Sequence, residues 1–186
     1  MTHEPQYAHE PGHPDYDRYM SMRSMVDKMH GENGIDMHSG DISHRATSAM
    51  LRAYKSEAMR DNASIDPKND IDGVVLSRNN DRFGDVGGRY AIMYQGDPSS
   101  PTVRTLAVPT QELTQSAEQN LQEINRMNEQ RERQYAQAQE RQQSYQVAQE
   151  QDRQSMGTRS LILALRDVAT AQRARPARSV SILQEA

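Results

Sequence analysis

The chain has 186 residues, of which 34% are hydrophobic, with a single phenylalanine, no tryptophan, no cysteine and a formal net charge of −4. The length fits one domain, but so polar a composition cannot offset the entropy of ordering every residue, so the core has to be concentrated in part of the chain. Disulfides and thiolate chemistry are excluded by composition. The polar N-terminus MTHEPQYAHEPGH has no apolar signal-peptide region, and the longest apolar run, Leu161 to Leu165, is far too short to cross a bilayer, so a soluble cytoplasmic protein is expected.

Residues 1–13 carry proline and glycine breaks without periodicity and are expected to form a flexible arm. Pro14-Asp15 then opens a helix, since proline suits the first turn and an acid favours the positive end of the helix dipole. Tyr19, Met22, Val26 and Met29 recur on one face of that helix, and Gly31 and Gly34 end it. The methionine stripe is read as core packing rather than as a soft-metal site. A second helix is expected after Ser39-Gly40, with Ile42, Ala46, Ala49, Met50 and Ala53 as its apolar stripe and Tyr54 alongside, and residues 62–70 with Pro67 break it.

Three strands follow, at Ile71–Ser77, Tyr90–Gln95 and Thr102–Val108. Their connections are too short for parallel crossovers, so they should pair antiparallel. The FGDVGG run between the first two lacks the Gly-Lys-Ser/Thr that opens a phosphate-binding helix and leads into a strand instead. After Pro109, Thr110 is a reasonable N-cap for a helix bearing Leu113, Ala117, Leu121, Ile124 and Met127. Beyond it, residues 128–154 are mostly Gln, Glu and Arg. Tyr135, Ala138, Tyr145 and Ala148 hint at a helical face that falls short of a heptad seam, so a nascent helix or a disordered tail is expected. A last island, Ser160 to Ala171, sets Leu161, Leu165 and Val168 on one face of a short amphipathic helix. Charge is asymmetric: residues 153–186 hold six arginines against Asp167 and Glu185, a balance of +4, which leaves −8 for residues 1–152. So acidic a body argues against nucleic acid as a partner.

No arrangement of catalytic groups emerges. His3, His9 and His13 fall in the expected arm. His30 sits at a helix end, where a cation suits the dipole, and His38 and His44 flank a cap without forming an i, i+4 metal pair. The carboxylates Asp61, Asp66, Asp70, Asp81 and Asp85 are scattered through turns, and no Gly-x-Ser-x-Gly elbow is present. Catalytic, cofactor-binding and metal residues are therefore not assigned, and the residues read as a small binding module, not an enzyme.

The order of motifs resembles XVIPCD, the C-terminal delivery domain of effectors sent through bacterial type IV secretion systems. His13-Pro14-Asp15 ahead of the first helix, the strand Ile71-Asp72-Gly73-Val74-Val75-Leu76-Ser77, and Tyr90-Ala91-Ile92-Met93-Tyr94-Gln95-Gly96 with Asp97-Pro98 match that family's pattern. So do the strand ending at Thr110, Ser116 to Gln119 in the following helix, and the Gln-rich tail. The resemblance covers about residues 11–154, departs at the long Arg78–Arg89 loop, and gives no counterpart for Ser160–Ala186. It begins too early to leave room for a toxic domain ahead of it in this sequence.

The resemblance implies an α+β fold: two N-terminal helices, a small three-stranded antiparallel sheet, a long C-terminal helix, then a Gln-rich largely disordered or nascent-helical tail. The expected divisions are the arm at 1–13, a recognition domain at 14–128, a polar tail at 129–158 and a basic amphipathic segment at 159–186. It further implies docking to the type IV coupling ATPase of the inner membrane, with Ile71, Asp72, Tyr90, Gln95, Gly96 and Asp97 as partner-binding residues. A cognate immunity protein is a second candidate partner, and delivery from the producing cytoplasm into a target bacterium is the expected route. Neither a nucleic acid nor direct transmembrane insertion is expected. The alternative is an adaptor that oligomerises through a long polar helix at 110–154.

Overall fold

The computed structural model describes residues 5–35, 40–78 and 87–173, with only the backbone described at 40 and 171–173. Helix α1 (Tyr16–Glu32) and helix α2 (Gly40–Ala58) precede strands β1 (Gly73–Leu76), β2 (Tyr90–Gln95) and β3 (Arg104–Pro109); a 3₁₀ turn (Glu112–Thr114) leads into α3 (Ala117–Arg173). The fold is α+β, as the sequence predicts. The chain divides into two compact units, residues 1–132 and 133–186.

In the first unit the three strands form one antiparallel sheet in the order β1-β2-β3. Strand alternation decides its faces: Ala91, Met93 and Gln95 of β2 are buried, while Tyr90, Ile92 and Tyr94 are half-buried on the other side. Register lines up Val74, Met93 and Leu106 in one inward row and Leu76, Ala91 and Val108 in the next. One outward row places Gly73 opposite Tyr94, and a Cβ at Gly73 would fall 2.2 Å from the Tyr94 hydroxyl. Only glycine lets that ring lie across β1.

The core joins Tyr19, Met22, Val26 and Met29 of α1 to Met50, Leu51 and Tyr54 of α2, the inward sheet row, Leu113, and Leu121 and Ile124 of α3. α2 is buried over six consecutive residues, Ala46 to Leu51, and not along a single stripe. Its alanines and serines let neighbours approach from more than one side, which a one-faced reading does not anticipate. Leu51, Thr47 and Ser48 were outside the expected stripe for that reason, whereas Ile42 and Ala53 are only half-buried.

Two boundaries differ from expectation. Residues 5–13 are not a flexible arm: Ala8 is fully buried, successive turns link Tyr7, Glu10 and His13, and the Gln6 carbonyl accepts from Asn125 Nδ2 at 2.6 Å. Thr110 does not cap a helix, because its N–H and Oγ1 both bond the Arg89 carbonyl and close the β2–β3 pairing; α3 begins only after Ser116. Of the two forms expected for residues 128–154, a nascent helix or a disordered tail, the helical one is present and is fully formed. From Glu118 to Met156 the sequence contains neither proline nor glycine and is rich in Gln, Glu, Arg and Ala, all good helix formers, so the helix continues through Gly157 to Arg173. The Gln-rich tail and the island at 160–171 are thus one helix, and residues 174–186 of the basic segment lie outside the described residues.

Candidate functional site

The His13-Pro14-Asp15 turn is anchored by a buried ion pair. Lys55 Nζ, from α2, donates to Asp15 Oδ2 at 2.5 Å, and both side chains are more than nine-tenths buried. Asn128 of α3 completes the set, donating from Nδ2 to Asp15 Oδ2 at 2.8 Å and accepting from Lys55 through Oδ1. His13 Nδ1 accepts the Asp15 N–H at 3.1 Å, which leaves its Nε2–H to donate to Asn125 Oδ1 at 3.2 Å. Burial raises the Asp15 carboxyl, but the donors from Lys55 and Asn128 and the Lys55 charge outweigh it and hold the group below its ordinary 3.8. Burial lowers the Lys55 ammonium, with Asp15 opposing. Lys55 and Asn128 converge on Asp15 Oδ2 from two other helices, so this cluster ties the start of α1 to α2 and α3 and holds its charges inside the protein.

Above it lies a cleft of about 400 Å³ lined by Pro14, Asp17, Arg18, Ser21, Met22 and Met25 on one side and Asp70 and Ile71 on the other. Arg18 bridges its walls. The guanidinium stands 4.9 Å from the Tyr54 ring centroid and 3.5 Å from Asp70 Oδ1. The Tyr54 hydroxyl donates in turn to the carbonyls of Pro67 and Asn69, both at 3.3 Å. The cleft therefore has an apolar floor of methionines and Ile71 and a rim carrying one cation and two carboxylates.

Five of the six sequence-derived partner residues cluster beside this cleft. Ile71 lines it. Asp72 Oδ2 accepts the Gly96 N–H at 2.6 Å, and the Asp72 N–H donates to the Tyr94 carbonyl at 2.9 Å. Gly96 holds φ at +94°, a conformation that favours glycine, and the exposed Asp97 accepts from the N–H and hydroxyl of Ser99, which lower its carboxyl. Gln95 is 7% exposed: Oε1 accepts the Asp66 N–H at 2.7 Å, and Nε2 donates to the carbonyls of Asp66 and Asn69 at 2.8 Å each. Its amide thus holds the loop that forms the cleft's far wall and is turned away from solvent. Tyr90 is not part of the cluster; it sits at the opposite end of β2, paired with Pro109 and bonded to Ser77.

The sequence reading missed Lys55, Asn125 and Asn128. A signal was available: Asn120, Ile124, Asn128 and Arg131 share the buried face of α3, and polar residues on such a stripe mark internal hydrogen bonding. Asn120 accordingly reaches Ser48.

Histidine placement also departs from expectation. His9 packs edge-on against His44 with centroids 5.0 Å apart, and the Tyr19 hydroxyl bonds His44 Nδ1 at 2.5 Å. Burial pushes His44 below its ordinary 6.5, His9 and Arg23 add to that, and Asp41 opposes. His30, expected as a helix-end cation, is buried, and burial lowers it likewise, with Asp27 opposing. His3, His38 and residues 79–86, which hold most of the FGDVGG run, lie outside the described residues. Among the described residues no group of three or more His, Cys, Asp or Glu is placed to hold a metal.

A histidine whose pKa is lowered by the fold takes up a proton more readily when unfolded, so His44 and His30 contribute stability that is full above pH 6.5 and is lost as pH falls from there through their lowered folded-state values. The urea midpoint should therefore drop between about pH 7.5 and about pH 5. His44→Gln should shrink that drop; an unchanged slope would remove His44 as its cause.

No family model matches the chain, and no curated protein matches it.

Proposed function

We propose that residues 5–132 are a non-catalytic recognition module that docks through the Pro14–Ile71 cleft to a type IV secretion coupling ATPase and marks the protein for delivery into target bacteria. One observation carries this reading: Pro14 of the His-Pro-Asp turn and Ile71 of the Ile-Asp strand start, more than fifty residues apart in sequence, line the same cleft. The Gln95–Gly96 end of β2 braces its far wall through Asp66, Asn69 and Asp72. The resembled family shares all three motifs, and a rigid cleft with an apolar floor and charged rim suits capture of a partner segment. No helix among the described residues is long and apolar enough to cross a membrane.

Ser21 is exposed on the cleft's α1 wall and makes no contact in the core, so Ser21→Arg fills the cleft without disturbing the fold. In a pull-down or optical binding assay against the purified coupling ATPase, the substitution should weaken binding at least about tenfold while the thermal midpoint stays unchanged. Full binding by Ser21→Arg would move the docking surface elsewhere, and no binding by the unaltered chain would overturn the reading altogether. The adaptor alternative has less to rest on. Tyr135 and Tyr145 are exposed on α3, but Gln142 and Gln149 interrupt the row they would need for a continuous seam.

A further inference from the structure

The last turns of α3 carry the largest exposed apolar surface among the described residues. Leu161, Ile162, Leu165 and Val168 are 65%, 59%, 62% and 57% exposed. At about 100° per residue, these four with Ala164 and Ala169 span a sector of roughly 160°. Arg159 and Arg166, seven residues apart, lie along one edge of that sector, and Arg173 continues the spacing in sequence. Leu163 falls outside it, on the arginine side.

We infer that this segment is a membrane-surface anchor whose apolar face enters the interface of a bilayer containing anionic lipid, with the arginines at the headgroups. Three observations select that occupant over a second copy of the chain. A helix pairing with its twin buries a narrow seam, whereas this face is more than twice as wide as such a seam needs. The face also breaks off toward the N-terminus: Thr158, Gly157, Gln154, Gln151 and Glu150 occupy the same sector, with Val147 a lone apolar side chain beyond them, so a dimer would rest on about three turns. Charge is complementary to anionic headgroups, since residues 153–186 hold six arginines against two carboxylates. Long arginine side chains at the border of an apolar face bury their stems and keep the charge at the headgroup level. The segment lies on the bilayer and does not cross it, because no described helix is long and apolar enough to do so. This inference is independent of the docking cleft, which lies in the other unit.

The test is co-sedimentation of the full chain with vesicles of equal parts phosphatidylglycerol and phosphatidylethanolamine, against vesicles of phosphatidylcholine alone. The chain should pellet with the anionic vesicles, bind the neutral ones at least about tenfold more weakly, and be released as salt rises from about 0.05 M to about 0.5 M. Leu161→Gln/Leu165→Gln and Arg159→Gln/Arg166→Gln should each lower anionic-vesicle binding by at least about tenfold. Gln is a good helix former, so circular dichroism should report the same helix content for both double variants. Absence of binding at excess anionic lipid, equal binding to neutral vesicles, or binding that survives both double variants would each overturn the anchor. So would concentration-dependent self-association in sedimentation velocity that the leucine variant abolishes while vesicle binding persists.

Discussion

Replacing Lys55 with Met is expected to lower the unfolding free energy by about 3–5 kcal/mol, the usual cost of stranding one charge of a buried pair. Among the described residues Lys55 is the one ammonium or guanidinium paired with Asp15, and the carboxylate is more than nine-tenths buried. With the ammonium gone, Asn128 Nδ2 still donates to Asp15, but one amide cannot replace a charge in that position. A urea titration at neutral pH would show the loss as a lower midpoint at nearly constant slope. The pH response makes the assignment specific. In the unaltered protein the Asp15 carboxyl is held below 3.8, so its contribution is full above that value and is lost as pH falls through the folded-state pKa. In Lys55→Met, burial acts without its counterweight and raises the same carboxyl, so the variant's deficit should narrow as acid protonates Asp15. A deficit that does not change with pH would mean that the substitution acts through packing alone. Asp15→Leu/Lys55→Met, which removes both charges, should recover part of the loss because no unpaired ion remains.

The second large effect is expected at Gln95. Gln95→Ala removes three hydrogen bonds that hold Asp66 and Asn69 against the end of β2, at a cost of about 1–3 kcal/mol, since backbone groups that the amide had satisfied lose their partner. Gln95→Glu should be worse at neutral pH. One carboxylate oxygen still accepts the Asp66 N–H, but the other faces the carbonyls of Asp66 and Asn69, where the structure requires a donor. Acidification should narrow the gap between Glu and Ala as the carboxyl gains a proton to donate. Thermal melts of both variants across pH read this directly, and Ala proving more damaging than Glu would contradict the orientation of the amide. Because the held loop carries Asp70 and Ile71, Gln95→Ala should also weaken docking at the cleft. In the proposed docking Gln95 would act by positioning that loop, so binding should recover on cooling, as the loop re-forms, whereas Ser21→Arg should stay weak at every temperature.

The parts of this fold that could be read from sequence are those where one pattern decides. Tyr90–Gln95 alternates cleanly, and the strand has those ends. The Tyr19–Met29 spacing fixed the buried face of α1 because that helix packs on one side only. α2 was read in part, since its buried sector is wide: only the narrow face bearing Asp41, Arg45, Arg52 and Ser56 is polar and exposed or half-buried, and the small polar Thr47 and Ser48 fall inside the buried part. Thr110 misled because strand pairing, a long-range event, takes the groups a local cap would use. The cleft was half visible: its motifs were recognisable, but their meeting depends on Asp15 reaching Lys55 and on Gln95 reaching Asn69. Both are polar contacts inside the protein, made by residue types that pattern reading assigns to the surface. Residues 5–13 were misjudged for a similar reason, as a short stretch with one buried alanine carries no period to detect.

The unbroken course of α3 has a kinetic meaning for the polar segment. Starting a helix is unfavourable because several residues must be fixed before the first bond closes, whereas adding to an existing one is nearly neutral for Gln, Glu, Arg and Ala. Leu121 and Ile124, buried in the core, supply the formed turns, and the residues beyond Glu132 then elongate from them without a nucleus of their own. Helical order past Glu132 is thus inherited from the folded body, and amide-exchange protection should decline steadily along the helix toward Gly157 instead of ending at a boundary.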